Sequence, residues 1–393
     1  MLRTLFYMYE FKKELIVCLS LSVLYVTYYF LEVVKKPLLI CGKGEFRQLL
    51  EEKVPVLNEA FWPTPWCIES RLQTVVASLL RSWILPSLTY TREILPLADG
   101  GQVALDWMDD KVVEDNEPGE IIMVIPGLTG GAHADYVRCV AAAARHLGAR
   151  CVVFNNRGLG GLPLTTPKLY CALSHEDLAE AVDAVKKRAK GGRVVAVGIS
   201  LGGLILGHYL ATRGNQASLY AALIISAPLD VERASECMEQ RPLNALLSWH
   251  MACSLRRTVR AHSTLTVESE AVEASRSVRA FDAAFTAKHF GFESVDHYYR
   301  AATLRGKLRN VRIPVLCLCA ADDPFQPLAA LPCADAKEHS LLAIAVPARG
   351  GHIGFMEGWW PTREPLSQYL SRVVVQYFSA LLSSSNTLKL ATH

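Results

Sequence analysis

The feature that most constrains the fold is the stretch from Arg193 to Gly203. A run of β-branched residues ends at Gly198, a serine follows between glycines, and a helical pattern begins. A strand, a sharp turn and a helix in that order are typical of a nucleophile elbow, which exposes a serine hydroxyl at the edge of a sheet. We therefore expect Ser200 to be a nucleophile, with Gly198 and Gly202 keeping side chains off the neighbouring backbone. The pattern G-x-S-x-G alone also matches ordinary turns.

Short apolar runs alternate with helical patterns on both sides of this stretch. Strands are predicted at 92–97, 103–108, 121–125, 151–154, 221–226, 313–319 and 341–346, and helices at 134–146 and 176–189. This alternation predicts an α/β fold, with a mostly parallel central sheet that helices cover on both faces. With 393 residues, of which 51% are hydrophobic, the chain can bury one large core and carry an appendage.

An acid and a histidine follow the ends of two later strands. Asp323 comes after the strand at 313–319, and His352 after the strand at 341–346. The order serine, acid, histidine is that of the hydrolases built around a nucleophile elbow. His352 would take the proton of Ser200, and the carboxylate would hold the imidazole and stabilise its charged form. Asp322 and Asp230 are alternatives for the acid.

Two backbone amides are candidates for an oxyanion hole. Pro126, Gly127 and Leu128 follow the strand at 121–125, which is the position from which such folds supply one amide, and Leu201 follows the serine. We expect the amides of Leu128 and Leu201 to bind the oxyanion, each contributing roughly 3–4 kcal/mol to transition-state stabilisation. A plain glycine-rich turn at 126–131 is the other interpretation.

The alternation of short apolar runs and helical patterns stops between residues 231 and 302. This segment holds several arginines and a group of phenylalanines and tyrosines, and we predict a helical lid insertion over the site. Aromatic residues at helical spacing also fit simple core packing. His262, His289 and His297 lack metal-binding spacing, so we interpret them as structural.

Residues 15–34 form an apolar run long enough to cross a bilayer. We predict an uncleaved membrane anchor there, with a cleaved signal peptide and a buried core helix as alternatives. The predicted organisation is a flank at 1–14, the anchor at 15–34, a membrane-proximal cap at 35–90, a catalytic domain at 91–382 and a polar tail at 383–393. Basic residues on the two sides are nearly balanced, so they leave the orientation open.

Charge and cysteine content limit the partners, cofactors and cell compartment to be considered. The net charge of +3 is too small to indicate a nucleic-acid partner. The 11 cysteines show no zinc-type pairs, and no N-glycosylation sequon occurs, which favours a reducing, cytosol-facing domain. We predict neither a metal nor an organic cofactor, and the oligomeric state stays open.

Several motifs together resemble a known family. They are 155–158 (Asn-Asn-Arg-Gly), 170–171 (Tyr-Cys), 198–203 around the serine, and 350–355 around the histidine. The chain resembles the membrane-anchored abhydrolase-domain proteins of the AB hydrolase 4 family over nearly its whole length, with most likeness to the phospholipase-like first and third members. The resemblance implies an α/β-hydrolase fold, the triad Ser200, Asp323 and His352, and phosphatidylcholines as substrates. It also implies a single-pass protein of the endoplasmic reticulum or another endomembrane.

The main hypothesis is a membrane-anchored serine hydrolase that cleaves lipid carboxylic esters, of phospholipase A1 type. A monoacylglycerol lipase or short-chain esterase is an alternative with the same triad. An acyltransferase is another, but the H-x-x-x-x-D motif of such relatives is missing, since Glu357 stands five residues after His352. A non-enzymatic protein that binds a lipid or a partner is the third, and such proteins typically lack a triad member.

Overall fold

A computed structural model describes residues 2–109, 118–240, 242–265 and 269–383 of the chain. The predicted polar tail lies outside the described residues from 384 onward. The chain begins with a long helix, α1 (Leu2–Tyr28), which continues as a π-helical turn at Tyr29–Val33. Within it, Phe11–Val33 is long and apolar enough to cross a membrane, and only a small part of it packs against the rest of the protein.

The centre of the molecule is a nine-stranded sheet with the order β1-β9-β8-β7-β6-β4-β5-β3-β2. Its strands are β1 (Leu38–Ile40), β2 (Tyr90–Pro96), β3 (Gln102–Met108), β4 (Ile121–Ile125), β5 (Arg150–Asn155), β6 (Val194–Ile199), β7 (Ala221–Ile225), β8 (Val315–Leu318) and β9 (Leu342–Val346). The six strands from β4 to β9 pair in parallel, whereas β1, β2 and β3 pair antiparallel at the two edges. The predicted α/β fold with a mostly parallel sheet is confirmed.

Helices cover both faces of this sheet. They are α2 (Glu45–Lys53), α3 (Ser70–Ile84), α4 (Asp135–His146), α5 (His175–Arg188), α6 (Leu201–Arg213), α13 (Cys333–Glu338) and α14 (Tyr369–Ser383). Successive residues of the central strands point to opposite faces, so Val195 and Val197 join one apolar cluster while Val194 and Ala196 join the other. Burial on both faces explains why these strands read as continuous apolar runs.

A helical insertion follows β7, as predicted for residues 231–302. Its helices are α7 (Val231–Gln240), α8 (Pro242–Arg260), α9 (Ser269–Ala274), α10 (Val278–Phe281), α11 (Ala287–His289) and α12 (Val295–Ala302), with a π-helical turn at Asp282–Thr286. Phe281, Phe285, Tyr298 and Tyr299 are buried and belong to the core on that side of the sheet. These aromatic residues therefore belong to the core and also line the cavity described below.

One strand was not predicted. Strand β1 follows the apolar helix and pairs antiparallel with β9, with Leu39 opposite Ala345. At three residues it is too short for its own sequence to reveal a strand period. Through β1, the segment that precedes the predicted catalytic domain contributes to the sheet itself.

Candidate active site

Ser200 lies in the sharp turn between β6 and α6. Its backbone has φ 54° and ψ −119°, a conformation that side-chain-bearing residues rarely adopt. The turn is possible because its neighbours lack side chains: a Cβ on Gly202 would lie 2.1 Å from the carbonyl oxygen of Ile125, and one on Gly198 would lie 2.8 Å from that of Gly202. The local sequence thus forces the serine hydroxyl away from the sheet.

A continuous line of hydrogen bonds joins this serine to a histidine and an acid. The Oγ of Ser200 lies 2.9 Å from Nε2 of His352, and Nδ1 of His352 lies 2.9 Å from Oδ2 of Asp323. Asp323 is fully enclosed and His352 is nearly so, with side chains 0% and 10% exposed. The imidazole can therefore accept the serine proton while a desolvated carboxylate faces its other nitrogen.

The three candidate acids occupy different positions. Asp323 contacts the imidazole and also accepts the backbone N–H of Phe325 at 2.8 Å. Asp322 instead accepts the N–H of Gly351 at 3.0 Å, and burial raises the pKa of its carboxyl to about 6. Asp230 instead forms an ion pair with Arg305 at 3.2 Å. Of these acids, only Asp323 is in hydrogen-bond contact with the histidine.

The backbone around Leu128 leaves one amide open. The N–H of Gly127 donates to the hydroxyl of Tyr136 at 3.0 Å, and the N–H of Thr129 donates to the hydroxyl of Tyr170, also at 3.0 Å. Within the described part of the chain, the Leu128 amide between them has no acceptor. The two tyrosines hold the loop on either side of a free donor.

The second predicted donor is the amide of Leu201. It stands at the first position of α6, where an N–H has no partner within the helix. A Cβ on Gly127 would lie only 3.2 Å from Cβ of Ser200, so the loop that carries Leu128 closely approaches the serine. Leu128 and Leu201 both border the same cavity as Ser200. Two backbone amides held beside the Ser200 hydroxyl are an arrangement that suits an oxyanion.

The loop that carries His352 is held by a helix that precedes the sheet in sequence. The backbone N–H of His352 donates to Oγ1 of Thr74 on α3 at 2.9 Å. Arg81, also on α3, donates to the carbonyl oxygen of Gly354 at 2.8 Å and forms a buried ion pair with Asp135 at 2.7 Å. Helix α3 therefore holds the histidine loop through hydrogen bonds at His352 and Gly354.

The same loop is held from the sheet by Ser226. Its Oγ accepts the N–H of Ile353 at 3.1 Å, and Ile353 has a positive φ of 64°. The ring of Phe325 stands edge-on against the imidazole of His352, with centroids 4.6 Å apart. Packing and hydrogen bonds together leave the imidazole little freedom to rotate.

An apolar cavity of about 120 Å³ opens beside the serine. Its lining includes Ser200, Leu201 and His352, together with residues of the lid helices and of the segment 169–172. The lid residues include Ala234, Met238, Met251, Leu255, Phe281 and Phe285. This lining suits a hydrocarbon chain and offers little to a polar substrate.

The cavity wall also holds a buried acid. The carboxylate of Asp282 accepts hydrogen bonds from Thr286 at 2.6 Å and from the hydroxyl of Tyr299 at 2.9 Å. Burial nevertheless raises the pKa of Asp282 to about 6, because the two hydrogen bonds only partly replace its hydration. It stands apart from the Ser200–His352–Asp323 line, and we assign it no part in the chemistry.

The lid histidines and Glu357, which the sequence also singled out, lie outside the site. His262 lies 2.8 Å from the carbonyl oxygen of Gly158, and His289 accepts the N–H of Leu169, which agrees with structural roles. Glu357 pairs with Arg372 rather than with the histidine. Within the described ranges, no group of three or more histidine, cysteine or acidic side chains is arranged to hold a metal ion.

The residues that support the site were not predicted from the sequence. Thr74, Arg81 and Ser226 bond loops that lie 127 or more residues away in sequence, whereas Tyr136 bonds Gly127, nine residues before it. One signal was available on α3, where polar or small residues recur every four positions at Gln73, Ala77 and Arg81. That spacing marks one face of a helix, and the structure shows this face to be buried.

The chain is similar to known hydrolases over most of its length. A family model for the alpha/beta hydrolase fold matches residues 120–358. The chain is 38% identical over 377 residues to phospholipase ABHD3 of Mus musculus, covering 94% of this chain and 90% of that protein, and 37% identical to the Homo sapiens protein of that name over 94% and 91%. A more distant relative, monoacylglycerol lipase ABHD2 of Danio rerio, is 25% identical over 87% of this chain and 84% of that protein.

Proposed function

Because the chain belongs to the α/β hydrolase family and is a carboxylic ester hydrolase, we propose that it is a membrane-anchored phospholipase of A1 type that acts on phosphatidylcholines. The observation that carries the proposal is the line of hydrogen bonds from Ser200 through His352 to Asp323, with an apolar cavity at its Ser200 end. The likeness to proteins named phospholipase ABHD3 supports a glycerophospholipid as the substrate. The A1 position follows from the family resemblance.

The proposed reaction has two halves. In the first, Oγ of Ser200 attacks the acyl carbonyl carbon while Nε2 of His352 takes the serine proton, at the 2.9 Å separation of the resting site. The carbonyl oxygen becomes an oxyanion that the amides of Leu128 and Leu201 bind. When the intermediate collapses, His352 returns the proton to the leaving lysophospholipid oxygen, and the acyl group stays on Ser200.

In the second half, water takes the place of the alcohol. His352 accepts a proton from water as its oxygen attacks the acyl-enzyme, the same two amides bind the oxyanion, and the fatty acid leaves as Ser200 regains its proton. Asp323, desolvated and hydrogen-bonded to Nδ1, stabilises the imidazolium in both halves. The apolar cavity holds the acyl chain next to the serine throughout.

The membrane part of the proposal is supported by the segment Phe11–Val33. Its 23 residues would extend about 34 Å as a helix, enough for the ~30 Å hydrocarbon core of a bilayer. At its end, Tyr29 donates to the carbonyl oxygen of Pro63 at 2.7 Å, and Arg349 donates to the hydroxyl of Tyr28 at 2.8 Å. We propose a single-pass anchor in the endoplasmic reticulum or another endomembrane, which carbonate extraction and co-localisation with organelle markers would test.

The activity is tested by incubating the full chain with phosphatidylcholines that carry a different labelled acyl group at each glycerol position. We expect release of the sn-1 fatty acid by the wild type and none above background by Ser200→Ala. Ser218→Ala serves as a matched control, since Ser218 is a half-buried serine outside the cavity lining. Equal release by the wild type and Ser200→Ala would refute the hydrolase proposal, and release from sn-2 would refute the A1 assignment.

A further inference from the structure

Helix α3 has the reverse of the usual polarity of a surface helix. Its buried face carries Gln73, Ala77 and Arg81. Its exposed face is apolar and comprises Leu72 (46% exposed), Val75 (41%), Leu79 (65%) and Trp83 (76%). At 100° per residue these four side chains fall within an arc of about 80° on the side away from Thr74. A helix on a water-facing surface shows the opposite arrangement.

The orientation of α3 is fixed by its polar face. Gln73 donates from Nε2 to the carbonyl oxygen of Cys67 at 2.9 Å, and Thr74 accepts the N–H of His352. Arg81 is buried between Asp135 and the carbonyl oxygen of Gly354. Rotating the helix to hide its apolar face would break every one of these bonds. The exposure of the apolar face is therefore built into the fold.

A second set of exposed apolar residues lies on the lid, on a helix that is hydrogen-bonded to α3. Nε of Arg71 donates to Oδ1 of Asn244 at 2.7 Å, which joins the first turns of α3 and α8. Between residues 243 and 249, α8 exposes Leu243 (58%), Leu246 (58%) and Trp249 (46%). We call these three residues, with Leu72, Val75, Leu79 and Trp83, the outer face. On its other side α8 contributes Met251 and Leu255 to the cavity.

The outer face also adjoins the end of the apolar N-terminal helix. The turn at Pro65–Cys67 leads into α3, and Nε1 of Trp66 donates to the carbonyl oxygen of Trp359 at 2.7 Å. Trp359 and Trp360 are 75% and 57% exposed. Tyrosine and tryptophan rings gather at the level where a bilayer meets water. A membrane crossed by the N-terminal helix would therefore reach the aromatic turn from which α3 begins.

We propose that the outer face inserts into a phospholipid bilayer, as a second membrane contact of the protein beside the N-terminal anchor. Its continuity with the anchor end, its exposed tryptophans and its fixed orientation select a lipid surface as the occupant. The contact places the lid and the cavity at the lipid surface, so an acyl chain can reach Ser200 without first crossing water. The inference rests on the membrane anchorage proposed above and is independent of the hydrolytic activity.

The test uses the full chain carrying Ser200→Ala in phosphatidylcholine vesicles that contain a trace of phosphatidylcholine with a photoactivatable diazirine in its acyl chain. After illumination, lipid adducts are mapped by mass spectrometry. We expect adducts on residues 11–33 and also on Leu72, Val75, Leu79 and Trp83, none of which lines the cavity. Strand β2, with its exposed Ile94, should remain free of adducts. It lies at the edge of the sheet opposite β1, the strand that follows the N-terminal helix.

A double variant on α3 and a control variant on β2 test whether the outer face itself contacts the lipid. Leu79→Glu combined with Trp83→Glu should lower the adduct yield on residues 70–84 at least tenfold and leave the yield on residues 11–33 unchanged, whereas Ile94→Glu should change neither. Fluorophosphonate labelling of Ser200 in the serine-containing versions, in detergent, checks that each variant is folded. Adducts confined to residues 11–33, or an undiminished yield in the double variant, would overturn the proposal and leave a second copy of the chain as the occupant to seek.

Discussion

Replacing Asp323 by asparagine should disable the site while leaving its shape intact. Oδ1 of Asp323 accepts the N–H of Phe325 at 2.8 Å, and Oδ2 lies 2.9 Å from Nδ1 of His352. An asparagine has one oxygen, which the Phe325 N–H would retain, so its NH₂ group would face Nδ1. His352 would then accept at Nδ1 and carry its proton on Nε2, the nitrogen that must receive the proton of Ser200.

The size of the effect follows from this change of tautomer. The serine loses its base and the imidazolium loses its carboxylate, and a loss of this kind lowers kcat by about 10⁴-fold, equivalent to about 5.5 kcal/mol of transition-state stabilisation. The neighbouring Asp322 provides a matched control. Its Oδ1 accepts the N–H of Gly351, a bond that an asparagine oxygen can make, so Asp322→Asn should lower kcat less than about tenfold.

The assay is the hydrolysis of a soluble p-nitrophenyl ester in detergent, so that membrane contact does not enter the rate. Thermal unfolding of both variants checks that they are folded, and the rate of fluorophosphonate labelling reports the nucleophilicity of Ser200 directly. A loss in Asp322→Asn as large as that in Asp323→Asn would refute the assignment of the acid. Full activity in Asp323→Asn would refute the proposed triad.

Three further outcomes follow from single contacts. Tyr136→Phe leaves the buried N–H of Gly127 without its acceptor and loosens the loop that carries Leu128, so kcat for a soluble ester should fall about tenfold at nearly unchanged KM, as steady-state kinetics would measure. Arg81→Met leaves Asp135 as an uncompensated buried charge and should lower the free energy of unfolding by about 3–5 kcal/mol in denaturant titrations; an unchanged midpoint would contradict the buried pair. The pKa of Asp282 is raised to about 6 in the folded protein, so the folded state holds a proton that the unfolded chain releases near pH 4. Its contribution to stability is therefore fully present below about pH 4 and is lost as pH rises to about 6. Thermal unfolding should show that Asp282→Asn gains stability relative to the wild type across that window, and a pH-independent difference would contradict the assignment.

The sequence predicted the elements that carry their own signal. The strand into Gly198, the serine turn and the helix after it are encoded by adjacent residues, because β-branching, glycine and helical period all act over a few positions. Asp323 and His352 could be chosen for a similar reason. Each follows an apolar run, and parallel strands bring their carboxyl ends to one edge of the sheet. The predicted lid insertion and the strands flanking it are also present in the structure.

The supporting contacts could not be predicted in this way. Thr74 contacts a backbone group 278 residues further along the chain, and Arg81 one that is 273 residues away. Neither residue lies in a motif, and a one-dimensional pattern carries no information about which distant loop will pack against a helix. The sequence favoured Asp323 but left Asp322 as an alternative, because two adjacent residues share one sequence context and differ mainly in the direction their side chains take.

The sequence by itself determined the class of the protein: an α/β fold with a serine in a strained turn, and an apolar segment long enough to cross a membrane. Only the tertiary structure decided which acid faces the histidine, which amides stay free, and that α3 turns its polar side inward and its apolar side outward. The physical reason is the range of the interactions. Backbone propensities act within a turn or a strand, whereas burial, hydrogen-bond partners and pKa shifts arise only when distant segments have packed together.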